Sequence, residues 1–216
     1  MPRVTELVIH IVDDERIVRD SLATVFKGLG YDIRTYSGAD EFLDNVRYDG
    51  PGCMLLDLVM RGKGGLQLLS ELSVRGIDIP VIAMTGHSDV PVAVKAMRLG
   101  AVNFIEKPFG RQAIVDAVNA CIDRAKEIWA RRQLRESFQA RLNALTDRER
   151  EILNLMVDGK SSKAIGLELG ISYRTVEAHR RNIQGKFGIS SVFELARQFH
   201  EAIPDGDGPA GARSPV

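Results

Sequence analysis

The 216-residue chain has only two cysteines, Cys53 and Cys121, and neither has a neighbouring Cys or His at metal-ligand spacing. That excludes a disulfide scaffold and a zinc finger, and both thiols are expected to be small buried hydrophobes. No run of about 18 apolar residues occurs, so no membrane partner is expected. The opening Met-Pro-Arg-Val-Thr-Glu also lacks the long apolar region of a signal peptide, which points to a cytoplasmic protein. An excess of one charge is missing as well: 29 basic residues balance 29 acidic ones. The balance hides a division, with 13 basic against 16 acidic residues in 1–122 and 16 against 13 in 123–216. So small an asymmetry is a weak argument for a nucleic-acid partner on the C-terminal side, and motifs must decide it. What is present is ordinary: 44% apolar and 27% charged residues fill real cores and rule out wholesale disorder, and the length allows two domains.

Along the chain, the branched apolar run Leu7 to Val12 suits a strand covered on both faces, and it ends at Asp13, Asp14 and Glu15. Ile17, Val18, Leu22, Val25, Phe26 and Leu29 then recur at helical spacing, and Tyr31 to Tyr36 can form a second strand. Further strands follow at Cys53 to Asp57, Pro80 to Met84 and Ala101 to Glu106, alternating with helices at Ala39 to Val46, Leu66 to Val74, Val90 to Leu99 and from Arg111. Five such units with short connections predict an α/β domain, a doubly wound five-stranded parallel sheet over residues 1–122. A solvated helical linker rich in Arg is expected at 123–143. Beyond it, Thr146-Asp-Arg-Glu149 is a capping box opening a helix. Ser162 to Leu169 and Tyr173 to Phe187 are two short helices separated by Gly170-Ile171-Ser172, and Ser191 opens a fourth. These make a small all-α helix-turn-helix domain at 144–203, followed by a disordered tail at 204–216.

In such a sheet, ligands bind outside the carboxyl ends of the strands. Asp13 and Asp14 follow the first strand, Asp57 ends the third, Thr85 ends the fourth and Lys107 follows the fifth. Carboxylates about 5 Å apart repel by roughly 3 kcal/mol per pair at an effective dielectric of 20, so they need a cation or must take up protons. An all-oxygen set selects a hard divalent ion, Mg2+ above all, which bridges readily to phosphate. Lys107 adds a point charge and Thr85 a hydroxyl, both suited to phosphoryl oxygens.

With these residues in place, the first 122 residues resemble a response-regulator receiver domain, and the C-terminal region is similar to the helix-turn-helix output domain of the NarL/FixJ (LuxR-type) family. The resemblance implies that Asp57, in Leu-Leu-Asp-Leu-Val-Met, is the phosphoacceptor and that Asp13 and Asp14 complete the Mg2+ carboxylates. It also implies that Thr85 is the switch hydroxyl, Phe104 the switch aromatic and Lys107, before Pro108, the phosphate-binding lysine. The implied partners are a sensor histidine kinase, double-stranded DNA and RNA polymerase. One departure stands out. The receiver pattern commonly has Met-Pro after the acceptor strand, where this chain has Met60-Arg61 and then Gly62-Lys63-Gly64-Gly65. That loop is expected to be more flexible and more basic. Val59 and His87 are expected to border the attacking water.

On the second of the paired helices, 100° per residue puts Val176, Ile183 and Phe187 in one buried stripe. Arg174, Ala178, Arg181 and Gly185 then face outward, flanked by Glu177 and Asn182. Arg174 and Arg181 can donate to guanine or phosphate, and small Ala178 lets the helix approach base edges. The resemblance puts Glu177, Ala178 and Arg181 where base contacts are usual. Lys163, Thr175, Arg180 and Lys186 are expected to hold phosphates, although Arg180 lies beside the buried stripe and is equally suited to an internal ion pair. His179 is read as packed. The resemblance implies a dimer contact on the fourth helix. Phosphorylation is expected to drive formation of a homodimer, because one small helix-turn-helix reads few base pairs. The expected function is a transcription regulator, not an enzyme beyond assisting its own phosphorylation. The alternatives are an aspartyl phosphatase of the haloacid-dehalogenase kind, whose Asp-x-Asp motif is absent, and a DNA-binding regulator independent of phosphorylation.

Overall fold

Val8-Ile-His-Ile-Val12 becomes β1 (Val8–Val12), every residue of it buried, as its unbroken branched apolar character requires. In the computed structural model, residues 7–47, 49–86, 90–189, 191, 194–195 and 197–198 are described. His87, most of the fourth output helix (including Val192, Phe193, Ala196 and Phe199) and the tail lie outside them. The elements in order are α1 (Arg16–Lys27), β2 (Asp32–Tyr36), α2 (Ala39–Asn45), β3 (Gly52–Asp57), α3 (Gly65–Val74), β4 (Val81–Thr85), α4 (Val90–Arg98) and β5 (Asn103–Glu106). There follow α5 (Arg111–Asn143), α6 (Asp147–Val157), α7 (Ser162–Leu169) and α8 (Tyr173–Phe187). The chain divides into two units, residues 1–129 and 130–216.

In the first unit the five strands are parallel in the order β2-β1-β3-β4-β5. Side chains alternate across the pleat, so Ile9, Ile11, Cys53 and Leu55 pack with Leu22 and Phe26 of α1 and with Ile114 and Val118 of α5. Val12, Met54 and Leu56 pack on the opposite face with Phe42 of α2, Leu68 of α3 and Ala96 of α4. Both cysteines are buried, and burial pushes the Cys53 thiol up to about 12. Because the chain leaves β1 toward β2 on one side and β3 lies on the other, the switch point falls at the carboxyl ends of β1 and β3.

Two sequence readings of the helices need correction. Ile17 is 85% exposed, because it lies about 180° around α1 from Phe26 and about 140° from Leu22. Leu29 is exposed because α1 has already ended at Lys27. Residues 123–143 are helical, but not solvated throughout: Ala125, Ile128 and Phe138 are buried.

The second unit is organised around Phe138, Ile152, Met156, Ile165, Val176 and Phe187. Thr146 caps α6 through the reciprocal bonds read from the sequence, its side chain accepting from the Glu149 N–H while Glu149 accepts from the Thr146 N–H. Gly170 ends α7 in the left-handed conformation at φ 65°, and Ser172 caps α8 by accepting from the Thr175 N–H. Gly166 has a separate reason, since a Cβ there would stand 2.8 Å from the Ile171 carbonyl oxygen.

Candidate functional site

The two strand ends at the switch point bring the expected carboxylates together. Asp13, Asp14 and Asp57 each offer one oxygen, and these oxygens lie within 4.8 Å of one another. Lys107, reaching in after β5, donates from Nζ to Asp13 Oδ2 at 2.8 Å and to Asp57 Oδ2 at 2.9 Å. Backbone amides fix the other oxygens: Glu15 N–H donates to Asp13 Oδ1 at 2.8 Å and Val59 N–H to Asp57 Oδ1 at 3.0 Å. Each carboxylate is therefore held by its own turn as well as by the shared ammonium.

Burial pushes the Asp57 carboxyl above the ordinary range, outweighing the hydrogen bonds from Lys107 and Val59. Burial also works against the Lys107 ammonium, but its bonds to Asp13 and Asp57 overcome that and raise its pKa. In this pair Lys107 is held charged by its two carboxylate partners, while burial holds the Asp57 carboxyl above its ordinary range. An all-carboxylate set of this size fits a hard divalent cation of the Mg2+ kind.

Thr85 ends β4 and is buried, and Phe104 on β5 is half exposed, which removes a core role for that ring. Val59 is exposed. The Met60 to Gly65 loop differs from the reading of a flexible basic segment, because both its cations have acidic partners. Lys63 Nζ lies 2.8 Å from Asp40 Oδ1 and 2.7 Å from Glu71 Oε1, tying the loop to α2 and α3. Arg61 is turned onto Asp14: its backbone N–H and its Nε–H both donate to Asp14 Oδ2, at 3.1 and 3.2 Å. These bonds, the backbone one foremost, hold the Asp14 carboxyl below the usual range. Gly65 is a close-approach residue rather than only a source of flexibility. A Cβ there would stand 2.3 Å from the Asp57 carbonyl oxygen and 2.8 Å from Leu58 Cα, so glycine lets α3 begin directly against the end of β3.

On α8, Val176, Ile183 and Phe187 form the buried stripe, and Arg174, Thr175, Arg181 and Gly185 are exposed, with Ala178 partly so. Lys163 on α7 is also exposed. Three residues of the expected DNA set have partners inside the unit. Glu177 Oε1 accepts from Ser162 Oγ at 2.5 Å, and Arg180 Nη1 donates to the same Oγ at 2.9 Å, with Arg180 Nε 3.9 Å from Glu177. Lys186 Nζ donates to buried Glu149 Oε2 at 2.6 Å and to the Ala144 carbonyl at 2.9 Å. The fold thus brings Lys186, expected at a phosphate, onto the capping box of α6, with its side chain still 35% exposed. His179 is partly buried, its Nδ1 without a hydrogen-bond partner.

A parallel five-stranded sheet with three acids and a lysine at its switch point, followed along the chain by a helix-turn-helix, defines a response regulator. Residues 9–119 match the response regulator receiver domain and residues 143–199 the luxR family of bacterial regulatory proteins, and the chain belongs to the family that combines the two. It is 41% identical over 210 residues to the transcriptional regulatory protein FixJ of Azorhizobium caulinodans, covering 97% of this chain and 98% of that protein. It is also 41% identical over 191 residues to the C4-dicarboxylate transport transcriptional regulatory protein DctR of Rhodobacter capsulatus, covering 88% and 97%. Among solved structures, the response regulator StyR superposes with a TM-score of 0.68 at 34% identity, over 91% of this chain and 99% of that one. Full-length FixJ from B. japonicum gives 0.54 at 34%, over 92% and 98%. The protein is a transcriptional regulator with a receiver and a LuxR-type DNA-binding domain. No helix among the described residues is long and apolar enough to cross a membrane.

Proposed function

We propose that Asp57 is phosphorylated by a sensor histidine kinase with the help of Mg2+, and that the aspartyl phosphate switches sequence-specific DNA binding. The observation that carries this reading is the lysine bridge, with one ammonium on both Asp13 and Asp57 and Asp14 alongside. A carboxylate oxygen of Asp57 attacks the phosphorus of the kinase phosphohistidine as the P–N bond breaks, and the departing imidazole keeps the electron pair and takes a proton from solvent. Asp13, Asp14 and Asp57 would hold Mg2+, which when bound supplies charge for the phosphoryl oxygens. Lys107 moves its ammonium from Asp57 toward the new phosphoryl group, which carries about two negative charges. The Val59 N–H keeps the remaining carboxyl oxygen oriented.

Thr85 then donates its hydroxyl to the phosphoryl group and Phe104 turns inward, shifting a pre-existing equilibrium. Val94, Met97, Val102 and Phe104 are exposed apolar side chains on α4, the turn after it and β5, and they support pairing of two phosphorylated chains. We assign residues 1–122 to the receiver, 123–143 to a helical linker and 144–203 to the output domain. In DNA, α8 enters the major groove with Arg174, Ala178 and Arg181 toward base edges, while Lys163 and Thr175 meet phosphates. Glu177 joins the base-reading face and Arg180 and Lys186 the phosphate contacts, each also held by a partner inside the unit. RNA polymerase is the further partner of the DNA-bound dimer. Intact-mass spectrometry after treatment with acetyl phosphate and Mg2+ tests the first step: wild type gains one phosphoryl group and Asp57→Asn gains none. Equal labelling of the two removes Asp57 as the acceptor.

A further inference from the structure

Of the three clustered carboxylates, two share Lys107 and the third does not. Asp14 has Arg61, whose backbone N–H and Nε–H both donate to its Oδ2. The Arg61 side chain is 91% exposed, against 18% for Asp14, so water is available to the guanidinium the moment it leaves. A cation approaching Asp14 meets an oxygen that already accepts two hydrogen bonds, one of them charge-assisted. The geometry points to Arg61 as a built-in competitor for the divalent cation, raising the metal concentration at which Asp57 becomes competent for phosphorylation. This inference rests on the reading of the three acids as a metal site.

The competition follows from charge and from exposure together. Three carboxylates opposed by Lys107 alone would leave two negative charges in the cluster, and Arg61 reduces that to one. An exposed ion pair of this kind is held weakly, so it yields to a divalent ion but must be displaced by it. The other cation of the same loop, Lys63, is committed to Asp40 and Glu71 and is not on the cluster, which makes it a control for general charge. The Arg61 backbone N–H survives substitution by any residue except proline, which has none. Arg61→Ala therefore removes the guanidinium alone.

The probe is Mn2+, which takes the same oxygen ligands, with free ion counted by electron paramagnetic resonance on the full chain. Arg61→Ala is expected to bind Mn2+ about two- to fivefold more tightly than wild type, the range that an exposed ion pair commands. Lys63→Ala is expected to change the affinity less than Arg61→Ala does. Equal or weaker binding by Arg61→Ala, with an unchanged circular dichroism spectrum, overturns the inference while leaving the metal site intact. Equal tightening by both variants overturns it in favour of unspecific charge. Absence of Mn2+ binding at millimolar concentration in wild type overturns the metal reading itself, and this inference with it.

Discussion

His10 occupies the middle of β1 where an aliphatic residue would serve, and it makes the receiver sensitive to mild acid. It is 2% exposed, its ring stacks on Tyr36 at 5.9 Å and meets Phe42 edge-on at 5.7 Å, and its Nδ1 lies 3.1 Å from the Tyr36 hydroxyl. Burial, aided by the Arg34 charge and opposed by Asp49, lowers its pKa from 6.5 to about 4. The unfolded chain takes up this proton near pH 6.5, while the fold resists it until about pH 4. The unfolded state therefore binds more protons across that window, and stability falls as the pH is lowered through it. Going from pH 7 to pH 5 crosses about 1.5 decades of the window, a loss of about 2 kcal/mol at 1.36 kcal/mol per decade. Hydrogen exchange followed by mass spectrometry on the intact chain, read at peptides containing β1 and corrected for intrinsic rates, reports the opening free energy of this unit. His10→Leu should be less stable at pH 7 by about 1 kcal/mol, since Tyr36 loses a partner, but should lose little more on going to pH 5. An identical drop in wild type and variant would refute the argument, because the proton taken up would then belong elsewhere. The destabilised strand leads into the carboxylate cluster, since β1 ends at Val12 and Asp13 follows it.

Four further outcomes are expected. Lys107→Ala should sharply reduce labelling of Asp57 by acetyl phosphate at any Mg2+ concentration, because its ammonium is the cation that touches both buried acids; undiminished labelling in the intact-mass assay would contradict this. Gly65→Ala should destabilise the first unit by about 1 to 3 kcal/mol through a backbone clash, measured by exchange at β3 peptides. Lys186→Met should destabilise the second unit by about 1 to 3 kcal/mol at neutral pH, since it strips buried Glu149 of its charged partner. Glu149 is held below its ordinary value of 4.5 by Lys186 first and the Thr146 N–H second, so the stability it contributes is present above that pH and is lost as the pH falls through its lower folded value; the variant should show a weaker acid dependence. Arg181→Ala should cost about 1 to 3 kcal/mol of DNA binding and relax sequence preference, and an unchanged ratio of specific to random duplex affinity would show that the groove face is misassigned.

The order of strands and helices, the pairing of acids with strand ends and the stripe of Val176, Ile183 and Phe187 were legible in the sequence, because each is a local pattern. An unbroken branched run, a 3.6-residue period and a capping box need only a few neighbouring residues to take effect. The side on which a charged side chain finds its partner was decided by the tertiary structure alone. Lys186 and Glu149 are 37 residues apart and Arg61 and Asp14 are 47 apart, and nothing in either neighbourhood specifies the other. A long flexible cation on a helix surface has many possible partners of similar weak energy, and only the packing of α6 against α8, or of the β3–α3 loop against the end of β1, selects one. Gly65 makes the same point in steric form. In the sequence it is one more glycine in a loop, whereas in the fold it is the one atom's width that lets α3 start against Asp57.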